Sequence, residues 1–159
     1  MKMEEYSVID VPITGAERCA LCGDAYMSLV QFYRAFNSRD LSLMQANWHE
    51  GDDVAMDNPI GGIKRGWNEI RQVYEKLFNG PAKFYVEFYD YSLHETPEMF
   101  YAVGRERGRF ERGGVTVDLA IRTSRIFRRI DGAWQQVHHH GSIDDPDLLA
   151  RYQQAVLGR

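Results

Sequence analysis

The chain has 159 residues, 44% hydrophobic and 26% charged, with a net charge of −4, the profile of one globular domain large enough to bury its own core. It holds no apolar run long enough to span a membrane, no visible apolar leader behind its acidic start, and two cysteines, too few for a disulfide framework. A cytoplasmic protein with reduced thiols and no membrane contact is expected, and the acidic balance argues against nucleic acid as a partner.

Residues 1–23 contain Pro12 and Gly15 and show no clean period, so they are expected to form an irregular N-terminal arm ahead of a domain over 24–159. Within the arm, Cys19-Ala20-Leu21-Cys22 is a lone CxxC. No strand precedes it as a redox motif requires, and a zinc site would need a second pair, which only a twofold dimer could supply. Two ordinary thiols are the expectation.

Asp24 caps a helix running to about Asn37, with Tyr26, Leu29, Val30, Tyr33 and Phe36 on one apolar face. Asp40 caps a shorter helix carrying Leu41, Met44 and Trp48. A short strand near Val54–Asn58 and a turn at Pro59–Gly62 follow. A third helix over about Trp67–Asn79 repeats Trp67, Ile70, Tyr74, Leu77 and Phe78 at helical spacing, and Gly80-Pro81 stops it.

From there the apolar period changes to two. Strands are predicted over Lys83–His94, Met99–Arg112, Val115–Ile130 and Ala133–Ser142, broken at Thr96-Pro97, Gly113-Gly114 and Asp131-Gly132. Asp145-Pro146 opens a last helix with Leu148, Leu149, Tyr152 and Val156. Helices first and hairpin-linked strands second give an α+β fold, an antiparallel sheet packed on helices. The helices can cover one face only, and the strand Val115–Ile130 has apolar residues on both, so a homodimer through the sheet is expected.

Strand parity locates the chemistry. On Val115–Ile130 the odd positions are apolar except Thr123 and Arg125, so Arg125 points into the core, where a guanidinium is costly unless paired. A two-residue Gly113-Gly114 turn pairs Arg112 with Val115 and places Phe100, Ala102, Gly104, Glu106, Gly108 and Phe110 on that same face. Glu106 is then a second inward charge, with room left around it by glycine and alanine. Arg125 and Glu106 are either an anchor in a ligand cavity or a structural ion pair.

The same strands are rich in arginine, with Arg105, Arg107 and Arg109 pointing outward. Eight of the 19 basic residues lie between Arg105 and Arg129, and Arg109 is expected opposite Asp118. The last strand carries His138-His139-His140. A two-residue turn at Asp131-Gly132 sends His138 and His140 inward; a three-residue turn sends His139 inward instead. Paired histidines could bind a metal with Glu106 or Asp57, but spacing alone is weak, and neither metal nor cofactor is expected.

Several segments together resemble a known group. They are Phe32-Tyr33-Arg34-Ala35-Phe36-Asn37-Ser38-Arg39-Asp40, Asp57-Asn58-Pro59-Ile60-Gly61, Gly66-Trp67-Asn68-Glu69-Ile70, Thr123-Ser124-Arg125-Ile126-Phe127, and Asp131-Gly132-Ala133-Trp134 through to Ser142. Over Asp24–Ser142 the chain resembles the SnoaL-like branch of the nuclear-transport-factor-two-like superfamily, and its closing pattern resembles the association domain of calcium/calmodulin-dependent kinase. The resemblance implies a cone-shaped curved sheet wrapped on helices, a pocket between them, and homodimers. It implies that Arg125 lines the pocket, that Gly141 stands where a second pocket arginine would be, and that Val137, His139 and Gly141 face inward. The same superfamily includes ketosteroid isomerase, whose Asp-Pro-x-Gly segment resembles Asn58-Pro59-Ile60-Gly61. Its base position falls on Asn58, which takes up no proton, and its oxyanion acid falls at or beside Arg125.

The expected function is small-molecule binding by Tyr33, Trp48, Asn58, Trp67, Tyr74, Glu106, Arg125 and His139. Arg125 would hold a carboxylate, enolate or carbonyl oxygen, and His139 or Glu106 would move protons in a cofactor-free isomerisation, cyclisation or dehydration. The alternative is a non-catalytic dimerisation or accessory domain.

Overall fold

Two tight turns and two bulges decide which side chains meet in the interior. The computed structural model describes residues 7–158. In chain order the elements are α1 (Asp24–Ser38), α2 (Leu41–Asn47), β1 (Ala55–Asp57), β2 (Lys64–Arg65), α3 (Trp67–Phe78), β3 (Lys83–Glu95), β4 (Met99–Arg112), β5 (Val115–Ile130), β6 (Ala133–Ser142) and α4 (Pro146–Leu157). The strands form one curved open sheet in the order β2-β1-β6-β5-β4-β3, an α+β architecture with helices over one face. Among the described residues no helix is long and apolar enough to cross a membrane.

Local chemistry sets the helix ends. Arg39 takes a left-handed conformation after α1, and the Asp40 carboxylate then accepts the Leu43 N–H at 2.9 Å to start α2. Pro146 opens α4 while Asp145 accepts the N–H groups of Asp147 and Leu148. The core lies between these helices and the sheet. Leu29, Val30 and Phe32 of α1, Met44 of α2, and Ile70 and Phe78 of α3 pack on Phe88, Phe100, Phe110 and Phe127 of the strands.

Gly113 and Gly114 both have positive φ, and their two-residue turn pairs Arg112 with Val115 as the sequence predicts. Phe100, Ala102, Glu106, Phe110, Val117, Leu119, Ile121, Thr123, Arg125 and Phe127 are accordingly buried on one face. In β3 the register slips between Tyr89 and Ser92, with Asp90 at φ 48°. The extra residue lets Phe88 and Tyr91 both turn inward, where their rings stack 5.0 Å apart beside Gly104.

Three features depart from the sequence reading. The sheet is not wholly antiparallel: β1 runs parallel to β6, pairing Met56 with His139. The long crossover through α3 and β3–β5 is what allows the same direction. The N-terminal arm is less irregular than expected, since Ile9 and Ile13 exchange backbone hydrogen bonds with Tyr91 and Phe88, and Ile13 is fully buried. Residues 1–6 of that arm lie outside the described residues. Cys19 and Cys22, expected as separate thiols, form a disulfide, because a turn at Ala20-Leu21 brings their Cα atoms to 5.5 Å.

The basic stripe on the outer face is compensated. Arg105, Arg107, Arg109, Arg122 and Arg128 pair with Asp90, Glu87, Asp118, Asp144 and Asp53. Arg109 lies opposite Asp118 as parity predicts. Arg112 and Arg129 donate instead to backbone carbonyls of Val156 and Pro97.

Gly108 is where β4 passes closest to β3: a Cβ there would lie 1.8 Å from the Tyr85 carbonyl oxygen. Gly108→Ala should therefore destabilise the fold by roughly 2–4 kcal/mol. Urea unfolding reads this as a lowered midpoint at constant slope, and an unchanged midpoint would show that the strands separate at little cost.

Candidate functional site

The inner face of β4–β6 carries a cluster of polar groups in an otherwise apolar core. Arg125, 2% exposed, projects from β5 and donates from Nη2 to Glu106 Oε1 at 3.0 Å, from Nη1 to Gln136 Oε1 at 2.9 Å, and from Nε to the Tyr33 hydroxyl at 3.4 Å. Its guanidinium carbon lies 3.5 Å from the centre of the Phe32 ring. Tyr33 donates to the same Glu106 oxygen at 3.0 Å. Neighbouring residues of α1 thus supply a stacking face and a hydroxyl. Gln136 passes its amide on to Asn47 Oδ1 at 2.9 Å, and Asn47 is anchored on Ser28 and Gln31. Of the two alternatives for Arg125 and Glu106, the ion pair is present, and it stands among polar groups.

His139 reaches this face by a route that neither turn length anticipates. The Asp131-Gly132 turn has two residues and pairs Ile130 with Ala133, the geometry expected to send His138 and His140 inward. A bulge at Val137 then adds one residue to β6, so Ile126 pairs with His138 and Arg125 with His139. His139 is buried directly across from Arg125, as are Gly141 and Gln136 on the same face. His138 and His140 lie on the opposite face around Asp57, at 3.6 Å and 2.5 Å from its carboxylate oxygens. Among the described residues no three His, Cys, Asp or Glu side chains are grouped to hold a metal ion.

Burial and the facing Arg125 charge hold the His139 pKa well below 6.5, so its ring is neutral at neutral pH. Nδ1 donates to the Ser124 carbonyl at 3.3 Å, which leaves Nε2 as a lone-pair acceptor. Burial likewise raises the phenols: Tyr74 to about 12, Tyr33 well above 10 with Glu106 adding to it, and Tyr152 of α4 upward beside the same Glu106. Burial opposes the charge of Arg125, but Tyr33 and Glu106 outweigh it and its pKa is raised. Three buried groups have no hydrogen-bond partner among the described residues: the Trp48 indole N–H, which lies near the Tyr74 phenol, the Thr123 hydroxyl and the Trp134 indole N–H.

Of the residues expected here, Tyr33, Glu106, Arg125 and His139 form one cluster with Tyr74 and Trp48 beside it. Trp67 stacks behind Trp48 at 6.4 Å and makes only apolar contact there. Asn58 is not brought in. It is half-buried, and its side-chain oxygen accepts the Ile60 N–H at 3.1 Å to close the turn after β1. Sequence reasoning missed Tyr152, Gln136, Thr123 and Asn47. Parity on β5 and β6 would have supplied Thr123 and Gln136, while Tyr152 and Asn47 needed the helix packing.

The SnoaL-like domain family matches residues 28–146 of the chain. The F-box protein SKIP8 of Arabidopsis thaliana is 22% identical over 147 residues, covering 92% of this chain and 59% of that protein, so the chain spans little more than half of its length. A nuclear transport factor 2-like superfamily protein of Salmonella enterica superposes with a TM-score of 0.66 at 19% identity, over 73% of this chain and 85% of its own. A ketosteroid isomerase-like protein of Erwinia carotovora gives 0.64 at 20% identity, over 77% and 95%. At these identities the likeness shows the fold.

Glu106→Gln should destabilise the protein by about 3–5 kcal/mol, because it leaves the Arg125 charge buried without its counter-charge. Adding Arg125→Met should restore part of that loss. Urea unfolding of the two variants reads this, and a double variant no more stable than Glu106→Gln would refute it. A second expectation concerns pH. The unfolded chain takes up a proton on His139 below pH 6.5 while the folded protein does not. The stability from a neutral His139 is therefore complete above 6.5 and is lost as pH falls toward the folded value, at a limiting slope of about 1.4 kcal/mol per pH unit. His139→Gln should flatten the stability profile between about pH 6.5 and 5; an unaltered profile would mean that His139 protonates freely in the fold.

Proposed function

We propose, for a chain that belongs to the SnoaL-like domain family, that the inner face of its sheet binds a small neutral carbonyl compound and supports its cofactor-independent isomerisation, cyclisation or dehydration. The observation that carries this reading is a set of polar atoms left without partners in an apolar interior. They are the N–H groups of Trp48 and Trp134 and the Thr123 hydroxyl, in the same interior as the Arg125–Glu106 ion pair. A core built only for stability satisfies such groups or omits them.

Among the carboxylate, enolate and carbonyl oxygens expected for Arg125, the charge balance favours those of a neutral carbonyl ligand. Glu106 already neutralises Arg125, and His139 is uncharged, so an incoming carboxylate would be buried beside a compensated pair. A guanidinium has five N–H groups and three are engaged with protein, which leaves donors for a carbonyl oxygen and for the enolate it becomes. His139 Nε2 would accept the proton from the carbon beside that carbonyl and return it at the new position, so that no net proton is consumed. Tyr74, held protonated by burial, would be a further donor.

A second reading has its own observation. Met99, Tyr101 and Val103 are exposed together on the outer face of β4, an apolar strip consistent with a homodimer through the sheet and with an accessory rather than catalytic role.

Thermal-shift measurements with a bicyclic enone and its matched carboxylate test the first reading. The enone should raise the melting temperature, by the equivalent of about 2.7 kcal/mol at a hundredfold excess over Kd, and the carboxylate should not. His139→Ala should weaken enone binding about tenfold or more. If neither compound shifts the melt while native mass spectrometry gives a dimer, the accessory reading replaces the first.

A further inference from the structure

We infer that Cys19–Cys22 is an exchange-competent disulfide that oxidises a dithiol reaching it from solvent. The pair lies on the surface turn just before α1, away from the Arg125 cluster. Its span of 3 in sequence closes a very short loop, which removes little entropy from the unfolded chain, so it is poorly placed as a structural staple.

The arm has other fastenings. Ile13 is buried and paired with Phe88. The Glu17 carboxylate accepts from the N–H and hydroxyl of Thr14 and from the Gly15 N–H, at 2.6, 2.9 and 2.8 Å. Arg34 of α1 donates to the carbonyls of Gly15 and Glu17 at 2.7 and 2.9 Å. A segment tied down this way keeps its place whether or not the sulfurs are joined.

Access and surroundings suit exchange. Cys22 is exposed, Cys19 is half-buried, and Leu21 between them is 96% exposed, an apolar side chain offered to a partner. An open groove of about 640 Å³, lined by Glu17, Arg18, Cys19, Met27 and Arg34 among others, adjoins the pair. Arg18, the neighbour of Cys19 in that wall, favours a thiolate there. On the other side, Gly23 caps α1 without a side-chain hydrogen bond, so first-turn N–H groups remain near Cys22.

The first thiolate of a dithiol attacks the exposed Cys22 sulfur, the Cys19–Cys22 bond breaks, and Cys19 leaves as the thiolate beside Arg18. The second thiolate of the same molecule then attacks its own sulfur in the mixed disulfide and releases Cys22. The dithiol loses two electrons and becomes a disulfide, the protein gains them as two thiols, and the two protons move from the dithiol to the protein thiols through solvent.

The test uses the full chain and dithiothreitol. The native protein is equilibrated in dithiothreitol mixed with its cyclic disulfide, quenched with a maleimide mass tag, and followed in parallel by circular dichroism. The expected result is full reduction without denaturant and an unchanged melting temperature. In oxidised glutathione, Cys19→Ser should form a mixed disulfide at Cys22 about tenfold faster than Cys22→Ser does at Cys19. Reduction only in denaturant, a lowered melting temperature on reduction, or equal rates in the two variants would each overturn the proposal.

Discussion

The interior is organised around one costly act, the burial of the Arg125 guanidinium. An isolated cation at that depth is not tolerable, so the fold must deliver a counter-charge, hydrogen-bond acceptors and a polarisable face to one point. They arrive from three elements to meet Arg125 on β5: Glu106 from β4, Gln136 from β6, and Phe32 and Tyr33 from α1. Each delivery fixes a register. The Gly113-Gly114 turn sets Glu106 against β5, and α1 must dock with the Phe32–Tyr33 edge facing the sheet. A one-residue slip of β4 would bring Arg105 or Arg107 to the charge in place of Glu106, so the ion pair selects a single register even where its net contribution to stability is small.

The bulge at Val137 decides which histidine meets the guanidinium. An unbulged β6 would put Gln136 opposite Phe127 and send Val137 on to Ile126, leaving His138 facing Arg125. Gln136 faces inward with or without the extra residue, which exchanges His138 for His139 opposite Arg125 and turns His138 to the outer face beside Asp57. Both ends of the guanidinium environment are then polar, one as an amide acceptor and one as a neutral imidazole. The Arg125 charge itself helps keep that imidazole unprotonated.

Much of this was legible in the sequence because it follows from parity. The long strands, the two glycine turns, the inward placement of Arg125 and Glu106, and the Arg109–Asp118 pair all derive from a period of two and two turn lengths. The inward face of His139 came from the family resemblance and not from parity, because a bulge has no compositional mark: Val137 is an ordinary strand residue whose insertion reverses every face beyond it. Tyr152 and Asn47 were hidden for a different reason. They come from helices whose docking is set by the whole core, so no local pattern links them to Glu106 or Gln136. Asn58 failed in the opposite direction, since its segment invites a functional role while its side chain is occupied in closing its own turn.

Charge is sorted across the thickness of the sheet, and that sorting separates what the two faces can do. Outside, Met99, Tyr101 and Val103 give way along β4 to Arg105, Arg107 and Arg109, which ion pairs with Asp90, Glu87 and Asp118 compensate; such pairs are weak, screened and replaceable. Inside, one pair stands in a medium where every polar contact is strengthened and every missing one is costly. α1 couples the interior to the N-terminal arm. Its Tyr33 contacts Glu106, while the next residue, Arg34, grips the carbonyls of Gly15 and Glu17. A Cβ on Gly15 would lie 2.3 Å from the Arg34 nitrogen, so the arm packs on the helix backbone with no slack. The position of α1 that presents Tyr33 to the ion pair is therefore the position that holds the arm, and a shift of the helix would disturb both.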